Sequence, residues 1–230
     1  MTQKKNGFNK GMEAILTSNP DHARNLQTQG IAVIGVCVDE NYSPWEGVRY
    51  LTDSYEVSRD YQRLVEARFS GTAFEVLRTK RCIVRETVEE DHPDFCRIYE
   101  DAEVVRFMEP LYPYEEEEAY IRDYRRNVYE FFEYGMWTVL ERSSGRVIGR
   151  AGLEPRGESA HLGYVLDASC RRQGIATEVC SAILAYAKVN FPELLIEASA
   201  DKENTASVRL LKSLGFCYAP EKDLYQLVQA

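Results

Sequence analysis

The chain has 230 residues, 44% hydrophobic and 28% charged, with a formal net charge of −9. This is a globular balance, long enough for one large or two small domains with a sizeable core. An acidic chain excludes nonspecific nucleic-acid binding, which needs Lys and Arg against phosphates. It is compatible with a cationic substrate.

The six cysteines (Cys37, Cys82, Cys96, Cys170, Cys180 and Cys217) form no CxxC pair and no Cys/His cluster of zinc type. The N-terminal AIL is too short for a signal-peptide core, and the longest apolar runs are too short for a bilayer. The expectation is a cytoplasmic protein with reduced thiols, no metal, and no membrane or nucleic-acid partner.

Residues 1–74 read as a small α/β piece. AILTSN (14–19) is a short strand, and DHARNLQTQG (21–30) is a helix ended by Gly30. IAVIGVCV (31–38) is a continuous apolar run of the kind a buried parallel strand shows, which completes a βαβ unit. GVRYLT (47–52) predicts another strand, and SYEVSRDYQRLVEARFSG (54–71) a closing helix. This piece resembles the latter half of a haloacid-dehalogenase-like α/β domain. The DxDx(T/V) nucleophile motif of that family is absent, so the resemblance implies a truncated scaffold without phosphatase chemistry. A phosphotransfer enzyme is a poor reading for the same reason.

Residues 75–230 change character. LRTKRCIVRETVEED (77–91) predicts a strand and a polar helix start, and DHPDFCRIYED a short helix. EEEEAYIRDYRRNVYEFFEYG (115–135) predicts a long helix with Glu in its first turn, as the helix dipole favours. MWTVLE, RSSG and RVIGRAGLE (136–154) form a hairpin, and HLGYVLD (161–167) is the next strand. GIATEVCSAILAYAKVNF (174–191) predicts an amphipathic helix with Ile175, Val179, Ile183 and Ala187 on one face. ELLIEASA is a strand, ENTASVRLLKSLGF a helix stopped by Gly215, and DLYQLVQ a last strand. The order β-α-α-β-β-β-α-β-α-β defines a mixed-sheet α/β fold.

The stretch CRRQGIATE (170–178) carries the chemistry. Arg171, Arg172 and Gln173 stand at a helix N-terminus, where backbone N–H groups are unpaired and the dipole is positive. Gly174 and the small Ala176 let an anion approach the backbone, while Ile175 faces the sheet. Such a mouth suits a pyrophosphate. Taken alone, the stretch reads first as an ordinary strand–helix turn with solvated arginines, because short Gly motifs match often by chance.

The stretch also matches the R/Q-x-x-G-x-G/A motif of the GNAT superfamily of N-acetyltransferases. LGYVLDASCRRQGIATEV resembles the strand–loop–helix of the RimJ/RimL-like branch, NTASVRLLKSLGF (204–216) its N-x-x-S…LGF element, and LRTKRCIVRE its opening strand. The resemblance runs from residue 77 to the end and implies a GNAT acyltransferase fold over residues 75–230. It implies acetyl-CoA as co-substrate, with its diphosphate held by Arg171, Arg172, Gln173, Gly174, Ile175 and Ala176, mostly through main-chain N–H. Val165 and Leu166 pair with the pantetheine amides on a splayed strand. Asn204 bonds the pantetheine arm or simply caps its helix, and Ser207 assists or caps.

Acetyl transfer also needs a base and oxyanion donors. Main-chain N–H groups near Val165 are candidate donors, and Glu154 and His161 are the candidate bases, each of which reads equally as a solvated strand-end residue. The tyrosine that many relatives use as acid for the leaving thiolate is replaced by Leu211, so another group protonates the thiolate or it leaves unaided. Cys170 reads as a small hydrophobe rather than a nucleophile. Tyr112, Tyr114 and the run Glu115–Glu118 lie where relatives build the acceptor pocket. A solvated helix start is at least as good a reading of that run.

The function implied is transfer of acetyl to a primary amine, on a small molecule or a protein N-terminus, by direct attack. A homodimer is compatible with the chain. The alternative is a catalytically weak acetyl-CoA-binding or regulatory protein.

Overall fold

A computed structural model describes residues 13–38 and 45–228. Residues 1–12, on which part of the signal-peptide reading falls, 39–44 and 229–230 lie outside that description. The chain divides into two compact units, Met1–Phe74 and Glu75–Ala230.

In the first unit β1 (Ile15–Thr17), α1 (Pro20–Thr28) and β2 (Val33–Val36) form a βαβ turn, with Ile15 opposite Val33 in a parallel pair. Asn19 starts α1 by accepting from the His22 N–H, and Pro20 fills the first helical position, where no N–H is missed. All four residues of β2 are buried, as an apolar run without alternation requires. The third strand, β3, is only Leu51–Thr52 and runs parallel to β2. Gly47, at φ +77°, turns the chain, so the expected strand over 47–52 forms only at its end. α2 (Arg59–Ser70) begins at a Ser58 cap and ends at Gly71. Ile34, Tyr50 and Val65 bury together beneath it.

The second unit is built on an eight-stranded sheet of order β10-β11-β9-β8-β7-β6-β5-β4. The strands are β4 (Glu75–Arg78), β5 (Cys82–Arg85), β6 (Met136–Glu141), β7 (Val147–Arg156), β8 (Ser159–Leu166), β9 (Leu195–Ala198), β10 (Phe216–Ala219) and β11 (Leu224–Leu227). Every neighbouring pair is antiparallel except β8 and β9, whose crossover is α7 (Ile175–Asn190). The buried face of α7 is Ile175, Val179, Ile183 and Ala187, the stripe the periodicity predicts, with Cys180 added beside it.

Two strands are absent from the sequence reading. LRTKRCIV contains a tight turn with neither Gly nor Pro: Thr79 closes it by exchanging backbone and hydroxyl hydrogen bonds with Cys82, at 2.9 to 3.3 Å. The chain therefore folds back on itself as β4 and β5. At the other end, Gly215 stops α8 (Thr205–Ser213), and Phe216 enters β10 at once.

On the face opposite α7 lie α3 (His92–Tyr99), α4 (Ala102–Val105) and α5 (Tyr114–Tyr124). Phe95, Ile98 and Ile121 pack there against Val147 and Val165. α5 continues through a π turn (Arg125–Tyr129) into α6 (Glu130–Phe132), which Glu133 ends at φ +61°. The long helix expected over 115–135 is therefore present, but interrupted. Buried Asp91 fixes the start of α3 by accepting from both Arg85 nitrogens at 2.5 and 2.6 Å, from Thr138 at 2.7 Å and from the Val88 N–H at 3.1 Å. A carboxylate this far from water is tolerable only because its acceptor sites are filled.

Candidate functional site

The parallel ladder between β8 and β9 is short. It joins Ser159–His161 to Leu195–Glu197 and stops. β8 runs on to Leu166 while β9 ends at Ala198, so from Leu162 onward β8 has an open edge. Its other edge stays paired with β7 through Gly149↔Leu166. An open edge in a sheet interior offers main-chain groups to an extended ligand carrying amides. Val165 and Leu166 lie on this edge, where the sequence reading puts them. Across the gap, the Tyr164 hydroxyl meets Ser207 Oγ at 2.8 Å and so ties β8 to the first turn of α8. Burial raises the Tyr164 phenol above its usual range, so it stays a proton donor.

Beyond Leu166 the chain turns through Ala168–Cys170 into the loop that starts α7. Asp167 shapes this turn by accepting from the Ser169 N–H and hydroxyl, at 2.9 and 2.7 Å. Arg172 takes φ +57° and Gly174 φ +73°, two left-handed residues that swing the backbone N–H groups outward. The first internal bond of α7 is from the Glu178 N–H to the Gly174 carbonyl, and no side chain caps the helix. Among the described residues, the N–H groups of 172–177 have no protein acceptor. Arg171, Arg172, Gln173 and Gly174 are exposed, Ala176 is half-buried, and Ile175 is buried in the core, as expected. This is a cradle of donors at the positive end of a sixteen-residue helix.

Sequence reasoning missed what holds the cradle. Arg81, on the β4–β5 turn, donates through Nη1 to the Gln173 carbonyl at 2.7 Å. Its Nε donates to Glu178 Oε2 at 2.6 Å, and its backbone N–H to Glu178 Oε1 at 2.8 Å. Burial would raise the Glu178 carboxyl, but hydrogen bonds from Thr79 and Arg81 outweigh it and hold the group below its usual range. Asn204 caps α8, its side chain accepting from the Ser207 N–H at 3.1 Å. Leu211 is buried in the core and has no polar role. Burial raises the Cys170 thiol, which keeps it from acting as a thiolate.

On the face toward α3 and α5, β7 presents Arg150, Gly152 and Glu154 opposite Val165, Gly163 and His161 of β8. The facing glycines let the segment Gly135–Met136 lie close over the sheet. Gly152 has no room for a Cβ, which would lie 2.0 Å from the Gly135 carbonyl oxygen, and Gly163 is covered by Met136. Glu154 accepts from the Tyr124 hydroxyl at 2.7 Å, and that hydroxyl accepts the Met136 N–H at 2.9 Å.

His161 shares that face but leans toward β9, with Nε2 3.4 Å from Glu197 Oε2. Burial, with Arg156 nearby, lowers the His161 pKa against the opposing pull of Glu197, so the ring is neutral at pH 7. Glu197 itself is pulled down to about 2, chiefly by its bond from Gln226, with Lys222 and Ser159 adding to it. The two candidate bases are thus cross-strand neighbours with different partners.

Of the acidic run, Glu117 is buried, 3.6 Å from Arg150, which stacks on Phe95. Tyr112 and Tyr114 are more than half exposed, and Tyr114 packs on the buried His92 ring. Neither is buried beside Glu154; Tyr120 and Tyr124 stand closer to it.

A mixed sheet with a splayed parallel pair, opening onto a donor-lined helix start, defines an acyltransferase of the GNAT class. The acetyltransferase (GNAT) domain family matches residues 81–217, more than half the chain, and the protein belongs to that family. It is 27% identical over 148 residues to the uncharacterised N-acetyltransferase p20 of Bacillus licheniformis, covering 62% of this chain and 82% of the relative. It is equally similar to the uncharacterised N-acetyltransferase YoaA of Bacillus subtilis, of which it covers 83%.

Among solved structures, an acetyltransferase from Agrobacterium tumefaciens superposes with a TM-score of 0.57 at 19% identity, covering 66% of this chain and 94% of the other. The ribosomal-protein α-N-acetyltransferase RimL in complex with coenzyme A superposes at 0.54 with 14% identity, covering 62% and 83%. These likenesses show the fold. The protein is an acetyltransferase, and enzymes of this fold use acetyl-CoA. Among the described residues there is no metal-binding cluster and no helix long and apolar enough to cross a membrane.

Proposed function

We propose that the second unit transfers the acetyl group of acetyl-CoA to a primary amine by direct attack. The observation that carries this reading is the continuity of the open β8 edge with the unpaired N–H groups of 172–177. An extended amide-bearing arm fits the first, and a diphosphate fits the second. Acetyl-CoA supplies the activated carbonyl; the chain supplies position, donors and proton transfer.

Val165 and Leu166 hold the pantetheine through their main chain, and Arg171–Ala176 hold the diphosphate. Asn204 both caps α8 and stands at the rim of the splay. Glu154, oriented by Tyr124, takes the proton of the amine through water, and His161 is the competing base. The Tyr164 hydroxyl, paired with Ser207 at the open edge of β8, delivers a proton to the departing thiolate in place of the tyrosine that Leu211 replaces. That pair weighs against the reading as a catalytically weak acetyl-CoA-binding protein.

All of these residues belong to the second unit. The first unit is assigned no part in the chemistry, and its resemblance to a haloacid-dehalogenase-like scaffold rests on its all-parallel βαβ sheet. The acceptor is a small amine or a protein N-terminus. Turnover of acetyl-CoA against a panel of amino acids, polyamines, aminoglycosides and N-terminal peptides tests the proposal. Thiol release with none of them, from protein that binds acetyl-CoA, would favour the binding-protein reading.

The Arg81 clamp gives a second expectation. Arg81→Met frees the Gln173 carbonyl and leaves Glu178 facing the loop without its partner. The KM for acetyl-CoA should rise about tenfold, with kcat at saturation changed less than threefold, and Arg81→Lys should recover part of the loss. An equal fall in kcat would place the effect on the chemistry instead.

A further inference from the structure

The buried positions of α5 keep helical spacing at Glu117, Ile121 and Tyr124. Position 128 continues that series, yet Val128 is only half-buried and the buried side chain is Tyr129. Five residues along an α-helix turn the chain by about 500°, which would leave Tyr129 roughly 140° round the axis from Tyr124. The π turn over Arg125–Tyr129 takes up the extra residue and returns Tyr129 to the Tyr124 face. Turns of this kind are rare and occur mostly as single insertions in α-helices. The stretch RRNVY holds neither Gly nor Pro, so nothing in its local backbone chemistry calls for one. The contacts of the two tyrosines do.

Both hydroxyls close on one residue. Tyr124 accepts the Met136 N–H at 2.9 Å, while Tyr129 donates to the Met136 carbonyl and accepts the Thr87 N–H at 3.2 Å. The two rings meet edge to face at 5.2 Å. Gly135 makes this approach possible, because a Cβ there would lie 2.7 Å from the Tyr129 ring and 3.0 Å from the Tyr124 ring and hydroxyl. With the Met136 N–H on its oxygen, the Tyr124 hydroxyl directs its single proton to Glu154 Oε2 at 2.7 Å.

We propose that this clamp sets the position of the base, and that Tyr129 is a positioning residue acting through Met136 and Tyr124 on Glu154. This rests on Glu154 as the base in the proposed function. The hydrogen bonds of Tyr129 go to Thr87 and Met136, so it reaches Glu154 only through its neighbours. Tyr129→Phe keeps the ring and its packing and removes one hydroxyl. The Met136 carbonyl then retains only the Thr87 hydroxyl, at 3.4 Å, and the segment that steers Tyr124 is held more loosely.

Steady-state kinetics of the full chain test this, with saturating acetyl-CoA and the fastest acceptor of the amine panel above. Tyr129→Phe should lower kcat about tenfold and leave the KM for acetyl-CoA within about twofold. The same substitution should change kcat less than about twofold in a Tyr124→Phe background, and likewise in Glu154→Gln, because the path it acts through is already cut. All assays run well below each variant's melting temperature. If Tyr129→Phe does not fold, Gly135→Ala, which presses a methyl between the two rings, takes its place with the same expected pattern. An equal loss of kcat in all three backgrounds, no loss in the wild-type background, or a rise in KM matching the fall in kcat would overturn the inference while leaving the proposed function standing. Near-normal kcat in Glu154→Gln alone would overturn it by removing the base. A panel without any acceptor would sink the proposed function and this inference together.

Discussion

Gly174→Asp should weaken acetyl-CoA binding on the order of a hundredfold, while Gly174→Asn, of nearly the same shape, should cost far less. Gly174 sits at φ +73°, where any side chain is strained, and Asn and Asp tolerate that region better than other residues. Comparing the two variants cancels the strain and the bulk and leaves the charge. The nearest protein atom to an added Cβ is Arg81 Nη2 at 3.7 Å, so the site has room for either side chain. A carboxylate roughly 6 Å from one phosphate charge, at an effective dielectric of about 20, is repelled by about 3 kcal/mol. That corresponds to about a hundredfold in affinity. The gap between Asp and Asn should narrow as salt is raised. Equal affinities for acetyl-CoA in two folded variants would remove the diphosphate from this loop.

The parts of the site that lie close together in sequence are the ones the sequence exposes. Arg171 to Ala176 form one loop, and Ile175, Val179, Ile183 and Ala187 repeat at helical spacing, so both the cradle and the helix behind it can be read directly. Val165 and Leu166 are legible as strand residues. That their strand has an open edge follows from where β9 stops, which no local pattern records; there the family resemblance did the work.

Arg81 and Glu178 are 97 positions apart, and an Arg in a strand-like run carries no sign of a distant partner. Tyr164 looks like any aromatic on a strand until the fold brings Ser207 to its hydroxyl. In the run Glu115–Glu118 the composition is uniform, yet helix geometry buries Glu117, half-buries Glu118 and leaves Glu115 and Glu116 in solvent. The turn at Thr79–Cys82 escaped notice because a threonine hydroxyl does there what Gly or Pro usually does.

Glu154→Gln should lower kcat/KM about a hundredfold, whereas His161→Gln should leave it nearly intact. The two side chains face each other across β7 and β8, but only Glu154 is held by a buried tyrosine hydroxyl, at 2.7 Å. The Tyr124 phenol is itself raised well above its usual range by burial, with the Tyr129 and Glu154 charges adding to it, so it remains a donor throughout the working range. Tyr124→Phe should lower kcat more than KM rises, because it misplaces the base without touching acetyl-CoA.

His161 offers the contrary outcome. Its folded pKa lies below 6.5 through burial and Arg156, so neutral His161 contributes stability above pH 6.5 that is lost as the pH falls through its folded value. A His161-dependent rate would therefore show its acidic limb below pH 6.5. Glu197→Gln should push that limb lower still, since Glu197 is the group that opposes the shift. A large loss confined to His161→Gln, with a limb that moves in Glu197→Gln, would transfer the role to His161. Near-normal rates in both base variants would mean that the amine gives up its proton to bulk water, and that the chain contributes only position and main-chain donors.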